Sequence, residues 1–167
     1  MIYRAPSLAE PIDQGDIVES CPIPWIAAID LKDFHAVETV TSPERIVVLT
    51  QTCDLVQQKA SYATVAVVRD AQRLIDDKVL RAADVKGPIR SGRVYGWYFL
   101  PKSVECGLPE MIVDLRQLYT ARLDLLVQLC SLGHRRARVQ PLYREHLAKH
   151  FADSYSRIGL PEPYPTD

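Results

Sequence analysis

Arg45-Ile-Val-Val-Leu-Thr-Gln-Thr-Cys-Asp-Leu55 is the segment that decides the fold, because a core strand runs straight into a polar turn. Four consecutive apolar residues, 46–49, predict a strand that is buried on both faces. The next five residues, Thr50 to Asp54, carry hydroxyl, amide, thiol and carboxylate groups. Since a rigid strand fixes the position of the groups at its end, this turn is the first candidate for a functional site.

Apolar and β-branched runs on both sides of this segment predict the other strands of a sheet. They lie at residues 15–18, 25–29, 62–68, 94–100 and 111–114. Residues 30–43 are mixed in character and predict a loop or the arm of a hairpin. The two prolines of Cys21-Pro-Ile-Pro24 lack ladder donors, which excludes this stretch from a regular central strand.

Helical spacing of apolar residues appears later in the chain. Residues 70–86 predict a helix that begins at Asp70 and stops at Gly87-Pro88. In the last third, one amphipathic helix ends at Gly133 and a second one opens at Pro141.

Strands that precede helices predict an α+β fold with a mainly antiparallel sheet. Five or six short strands must also protect their edges, which favours a strongly bent sheet or a small barrel. We expect residues 1–120 to form this barrel, with the inserted helix near 70–86. Residues 121–161 are expected to form a helical pair packed on the barrel, and residues 162–167 a tail.

The composition of the 167-residue chain excludes several classes of protein. Its 47% of hydrophobic residues suffices for a core, and its formal net charge of −1 gives no overall field that would attract nucleic acid or an anionic membrane. No apolar run approaches the roughly 18–20 residues of a membrane span. The first residues lack the pattern of a secretory signal. We therefore expect one cytoplasmic domain that contacts no membrane, with its four separated cysteines as free thiols.

Two pairs of potential metal ligands have the spacing of one helical face. Cys130 and His134 are four residues apart, and so are His146 and His150. Gly133 is predicted to end the helix before His134, and His150 lies near the apolar stripe. We therefore expect solvated or core-edge histidines and neither a metal nor a cofactor, with a zinc site as the alternative.

Three of the predicted strands carry a family resemblance. The order Gly15-Asp16-Ile17-Val18, Arg45-Ile-Val-Val-Leu-Thr50 and Thr64-Val-Ala-Val-Val68 resembles the first half of the MazF/PemK-like plasmid-maintenance toxins. The resemblance implies an SH3-like antiparallel barrel with C-terminal helices, and cleavage of single-stranded RNA. Arg45 corresponds to the arginine that this family uses at the cleavage site. The family's catalytic serine or threonine has no clear match, since Val68-Arg69-Asp70 stands at its position.

The polar turn supports a functional and a structural interpretation. In the functional one, Arg45 stabilises phosphate charge, the polar turn residues bind substrate and Asp54 is a base. The substrate-binding residues of the turn are Thr50, Gln51 and Thr52. In the structural one, the polar side chains satisfy backbone groups of a capped turn.

Cys53 within the turn is a second catalytic candidate. A cysteine nucleophile needs a nearby base, and the four histidines of the chain are the candidates: His35, His134, His146 and His150. The alternative is a small buried residue that closes the strand.

A local basic cluster follows the first C-terminal helix. It comprises Arg135, Arg136 and Arg138, which are candidates for binding phosphates. Cations also favour the C-terminal end of a helix through its dipole, which gives the cluster a purely structural alternative.

These patterns support three hypotheses of function. The first is a toxin-like or phage-defence-associated cytoplasmic protein that binds single-stranded RNA, in its enzymatic form a degenerate, metal-independent endoribonuclease. The second is a non-catalytic protein–protein interaction module of a larger bacterial complex, with a partner docked on the C-terminal helix. The third is a cysteine-dependent hydrolase that uses Cys53. The sequence leaves open whether the protein is an enzyme.

Overall fold

The computed structural model describes residues 1–56 and 61–156 of the chain, apart from the side chains of residues 34–36. In this part of the chain the strands are β1 (Tyr3–Arg4), β2 (Asp16–Asp30), β3 (Asp33–Val48), β4 (Tyr62–Asp70), β5 (Trp97–Leu100), β6 (Met111–Arg122) and β7 (Arg135–Val139). The helices are α1 (Thr52–Val56), α2 (Ala71–Asp76), α3 (Ala82–Asp84), α4 (Leu123–Ser131) and α5 (Tyr143–Tyr155), and a π-helical turn spans Val85–Ile89. The strands form one antiparallel sheet, which confirms the predicted α+β class.

The segment that follows Arg45 lies at the centre of this sheet. The strand order is β1-β7-β2-β3-β4-β6-β5. Within β3, the fully buried residues Ile46, Val47 and Val48 pair with Val67, Ala66 and Val65 of β4. The prediction of a core strand is confirmed.

Hydrophobic clusters cover both faces of the sheet. One cluster contains Val47 and Met111 together with Leu147 from α5. The other contains Ile46 together with Leu126 from α4. Successive side chains of a strand point to opposite faces. Because both faces of β3 are covered, its odd-numbered and even-numbered core residues must all be apolar, and this explains the uninterrupted apolar run.

The two edges of the sheet approach each other without pairing. The hydroxyl of Tyr3 in β1 donates a hydrogen bond to the carbonyl oxygen of Pro101, directly after β5, over 2.8 Å. Among the described residues no ladder joins β1 to β5, so the sheet is not closed. The SH3-like barrel therefore stays a prediction.

The predicted helix over residues 70–86 is broken into shorter pieces. β4 continues to Asp70, which pairs with Met111, and the six-residue α2 follows it. Lys78 has a positive φ of 58° and separates α2 from α3. Pairing with β6 and this turn override the local helical spacing.

The segment between the two C-terminal helices is a strand that completes the sheet. β7 pairs with β2 on one side and β1 on the other, and its Ala137 and Val139 are fully buried. The predicted helical pair over residues 121–161 is therefore interrupted. Neither α4 nor α5, nor any other described helix, is long and apolar enough to cross a bilayer.

β2 and β3 continue beyond the sheet as a two-stranded hairpin, which we call the arm and define as residues 22–43. β7 pairs with β2 only over Asp16–Val18, and β4 pairs with β3 only over Ile46–Val48. β2 and β3 remain paired with each other out to Asp30 and Asp33. Of the two alternatives predicted for residues 30–43, a loop or the arm of a hairpin, the structure shows the hairpin arm.

Candidate functional site

The polar turn after β3 is held by hydrogen bonds within the fold. Thr50 Oγ1 accepts a hydrogen bond from the backbone N–H of Thr64 over 2.7 Å. Thr52 begins α1, and its hydroxyl donates to the carboxylate of Asp13 over 2.5 Å. The backbone N–H of Asp54 donates to a carbonyl oxygen within the turn. These contacts are those of a capped turn.

A cavity of about 440 Å³ opens between this turn and α5. Thr50, Gln51 and Asp54 line one side of it, and Phe151 and Ala152 line the other. None of the described histidines or arginines lines this cavity. It offers hydrogen bonds and one carboxylate, and lacks a cation that would stabilise a bound phosphate.

Cys53 is exposed, and among the described side chains no histidine is hydrogen-bonded to its thiol. Its thiol lies 3.7 Å from Gln51 Oε1 and 3.8 Å from Asp54 Oδ1. Among the described histidine side chains, His146 and His150 are bonded elsewhere, to Tyr98 and to the carbonyl oxygen of Val94. The side chain of His35 lies outside the described residues.

The four thiols are expected to react in a fixed order with a disulfide reagent such as DTNB. Cys53 is exposed and Cys106 partly so, whereas Cys21 and Cys130 are buried. Burial raises the pKa of Cys21 and of Cys130 to about 11, so these two thiols carry little thiolate at pH 8. We expect Cys53 to react first because it is the most exposed thiol, and the buried pair to react only on unfolding. Cys53→Ser should remove the fast phase, and a reaction far faster than that of glutathione would support the hydrolase hypothesis.

Arg45 lies at the opposite end of the core part of β3 from the polar turn. Its Nε donates to Glu19 Oε1 over 2.7 Å, and its Nη1 pairs with the Asp70 carboxylate. Burial lowers the pKa of Arg45, and the hydrogen bonds to the two carboxylates offset this, so that the net shift is upward. Arg45 and Thr50 are separated by about 17 Å along an extended chain. The structure does not bring Arg45 together with Cys53 or Asp54.

Two arginines of the basic cluster are buried in an ion-pair network around Asp16. Arg138 donates to Asp16 from Nε over 2.6 Å and from Nη2 over 2.8 Å. Arg135 donates to the same carboxylate over 3.1 Å. A register shift between Ile17 and Val18 marks a β-bulge, which turns Arg135 to the same face as Arg138. Asp16 is fully buried and pairs with both guanidinium groups, and Asp13, 3.5 Å from Arg138 Nη1, supplies a second negative charge.

This network also anchors the lead-in to the sheet. Arg135 donates to the carbonyl oxygens of Ser7, Glu10 and Pro11 over 2.7 to 3.0 Å. Its donors are therefore occupied by backbone and by Asp16. Of the three arginines in the predicted phosphate-binding cluster, only Arg136 is exposed.

The two candidate metal-ligand pairs are not brought together. Cys130 is a buried residue of α4, whereas His146 and His150 lie on α5. Within residues 1–56 and 61–156, no group of three or more histidine, cysteine, aspartate or glutamate side chains is placed to hold a metal ion.

Apart from His35, the arm carries no residue of the predicted sites, and it exposes apolar side chains. Its root is ordered, because Trp25 packs edge-to-face against Tyr119 with ring centroids 6.5 Å apart. Beyond Trp25 every described side chain up to Thr41 is exposed. Large apolar side chains in this part are Ile26 (66% exposed), Ile29, Leu31 (73% exposed), Val37 and Val40. In the sequence, the β-branched residues within 30–43 are the pattern that indicates a strand in this part of the chain.

Both faces of the arm carry these apolar side chains. Val40 lies opposite Trp25, whereas Val37 lies opposite Ile29 on the other face. Pro22, which lies opposite Pro43, lacks an N–H and blunts the strand edges at the root. Between Trp25 and Val40 no proline interrupts the outer edges.

Comparison with models of protein families and with curated proteins gives no match for this chain.

Proposed function

We propose that this protein is a non-catalytic protein–protein interaction module of a larger complex, and that the arm is its docking element. The observation that carries the proposal is the run of exposed apolar side chains on both faces of a hairpin that leaves the sheet. Exposed apolar surface of this kind marks sites of protein association.

The energetics of the arm favour a docked state. An isolated two-stranded hairpin is marginally stable in water, and no third strand or helix among the described residues covers the arm beyond its root. Complete burial of a side chain such as Ile26 or Leu31 contributes about 1.5–3 kcal/mol. Several such side chains therefore supply the core of an interface, and the unblocked outer edges offer backbone hydrogen bonds to an added strand.

The charge of the arm defines the chemistry of its partner. Asp30, Asp33 and Glu38 outweigh the single positive charge of Lys32 between Ile26 and Thr41. An acidic, apolar hairpin is complementary to an apolar groove bordered by lysine and arginine side chains. The partner we propose is thus a different protein chain with such a groove. Nucleic acid is disfavoured at the arm because its phosphates carry the same sign of charge.

The dispersal of the predicted catalytic groups supports a binding role over an enzymatic one. Arg45 is paired with two carboxylates, and Cys53 and Asp54 lie at the far end of the strand. RNA binding by a toxin-like SH3-like barrel rests on the family resemblance alone and stays a prediction. The expected compartment is the cytoplasm, as the four free thiols favour.

Site-specific photo-crosslinking of the full-length chain tests the arm. A photoreactive benzoylphenylalanine is placed at Ile29 near the tip of the arm, and in a control protein at Val104, which is 89% exposed and outside the arm. After irradiation in the cells that produce the protein, we expect one heterologous protein to be linked through position 29 and not through position 104. That protein, purified and mixed with this chain, should form a complex of fixed stoichiometry in light scattering.

Apolar-to-acidic variants complete the test. Ile26→Asp in the arm should abolish this complex, whereas Val104→Asp should leave it unchanged, and both variants should keep the wild-type circular dichroism spectrum. Equal crosslinking from both positions, crosslinks only to nucleic acid, or crosslinks only to other copies of this chain would each contradict the proposed partner.

A further inference from the structure

A second cavity, which no arm residue lines, lies where β1, the π-helical turn, β5 and α5 meet. Its volume is about 360 Å³, within the range of sites for small molecules. We propose that this cavity binds a small organic acid, with an apolar body in the cavity and a carboxylate at its rim. The inference goes beyond the docking function and does not depend on it.

The interior of this cavity is apolar. Ile2, Ile89, Leu100 and Pro101 line it, together with the ring of Phe99. Ile89 and Leu100 are buried side chains of the core. These walls favour a hydrocarbon or aromatic body. They provide no hydrogen bonds that would hold a small inorganic anion.

A hydrogen-bonded Tyr98–His146 pair forms the polar part of the wall. The Tyr98 hydroxyl lies 3.0 Å from His146 Nδ1 and 3.4 Å from the carbonyl oxygen of Tyr143. Burial raises the pKa of Tyr98 to about 12, so the hydroxyl keeps its proton at neutral pH. Nδ1 faces the Tyr98 hydroxyl, so Nε2 is the ring nitrogen of His146 that this pair leaves available, as a donor or an acceptor according to the tautomer.

Arg90 supplies a cation on the same rim. Its guanidinium lies 4.5 Å above the Phe99 ring and uses Nη2 to pair with Glu110. A guanidinium has five N–H donors, so this ion pair leaves donors for a second carboxylate. Gly92 packs against His146, since a Cβ at Gly92 would lie 3.9 Å from His146 Cε1. Arg90 therefore offers a charge-assisted hydrogen bond to a carboxylate, and His146 lines the same cavity with Nε2 available for a second one.

Titration of the full-length chain with matched probes tests this assignment. The probes are phenylacetate and hexanoate, which have a carboxylate on an apolar body, phenylacetamide, which has the same body without the charge, and inorganic phosphate. We expect both carboxylates to shift backbone NMR signals of β5 and the start of α5. Phenylacetamide and phosphate should bind at least tenfold more weakly.

Two arginine variants separate a specific rim from general charge attraction. Arg90→Gln should weaken phenylacetate binding at least tenfold, whereas Arg93→Gln, which removes an exposed arginine that does not line the cavity, should leave it unchanged. A wild-type thermal midpoint for both variants is the fold control. The assignment is overturned if neither carboxylate binds, if phenylacetamide binds as tightly as phenylacetate, or if the two variants lose affinity equally. Because the wild-type titration does not involve the arm, its failure leaves the docking proposal intact.

Discussion

Replacing Asp16 with asparagine is expected to lower the free energy of unfolding by about 3–5 kcal/mol, because it removes one partner of a buried ion-pair network. The variant keeps the shape of the side chain and loses its charge. Arg135 and Arg138 would then remain buried around a neutral amide, with no negative charge in contact with both. Leaving a buried charge uncompensated costs more than the intact pair contributes, and Arg135 would lose its carboxylate while Arg138 would keep only the longer contacts to Asp13 and Glu10.

Urea denaturation followed by circular dichroism measures this effect. Arg136→Ala is the matched control, since Arg136 belongs to the same strand but is exposed, and we expect its stability to stay within about 0.5 kcal/mol of wild type. A loss below 1 kcal/mol for Asp16→Asn would show that the network is not needed for stability.

A second substitution distinguishes loss of charge balance from loss of packing. Asp16→Leu combined with Arg138→Leu removes both charges of the shorter pair and fills the space with apolar side chains. Such replacements are often far less harmful than breaking a pair, so we expect this double variant to be more stable than Asp16→Asn. Arg135 keeps its hydrogen bonds to Ser7, Glu10 and Pro11 in both proteins, which makes the comparison specific to the Arg138 pair.

The parts of the fold that the sequence predicts are those determined by local pattern. Residues 46–49 are apolar at every position because both faces of β3 are covered, and this reads directly as a buried strand. The arm is likewise signalled by two β-branched stretches around a short polar turn. The α+β class follows from strands that precede helices.

The remaining parts depend on contacts between distant segments. Arg135–Val139 looks like a basic link between helices, and becomes a strand only because β1 and β2 provide edges on either side. Asp16 and Arg138 are 122 positions apart in the sequence, so no local pattern predicts that they pair. Arg45 similarly forms ion pairs with Glu19 and Asp70, which lie on or next to the neighbouring strands. Side-chain type alone therefore suggested phosphate binding where the fold uses these arginines for internal neutralisation.

Gly15, directly before Asp16, lies where the backbones of two parts of the sheet approach closely. Gly15 has a positive φ of 84°, and its N–H donates to the carbonyl oxygen of Val48 over 2.9 Å. Its own carbonyl oxygen accepts from the N–H of Val139 over 2.9 Å. Gly15 therefore joins the centre of the sheet to β7 at a point where the backbones are close.

Gly15→Ala is expected to destabilise the protein by about 2–5 kcal/mol. About 1–2 kcal/mol comes from the left-handed backbone conformation, which penalises a side chain. A further cost of about 1–3 kcal/mol comes from overpacking, because the added Cβ would lie 3.1 Å from the carbonyl oxygen of Val139 and 3.2 Å from its Cβ. Backbone at this position cannot move aside without stretching the β7 pairing.

Gly107→Ala is the matched control for Gly15→Ala. Gly107 also has a positive φ, of 64°, but a Cβ there would meet nothing within 4 Å. This variant should lose only the conformational part, about 1–2 kcal/mol. The difference between the two variants in urea denaturation then measures the overpacking against Val139. Equal losses would mean that β7 relaxes freely around the new methyl group, and the close approach of Gly15 to β7 would then play no part in holding the sheet.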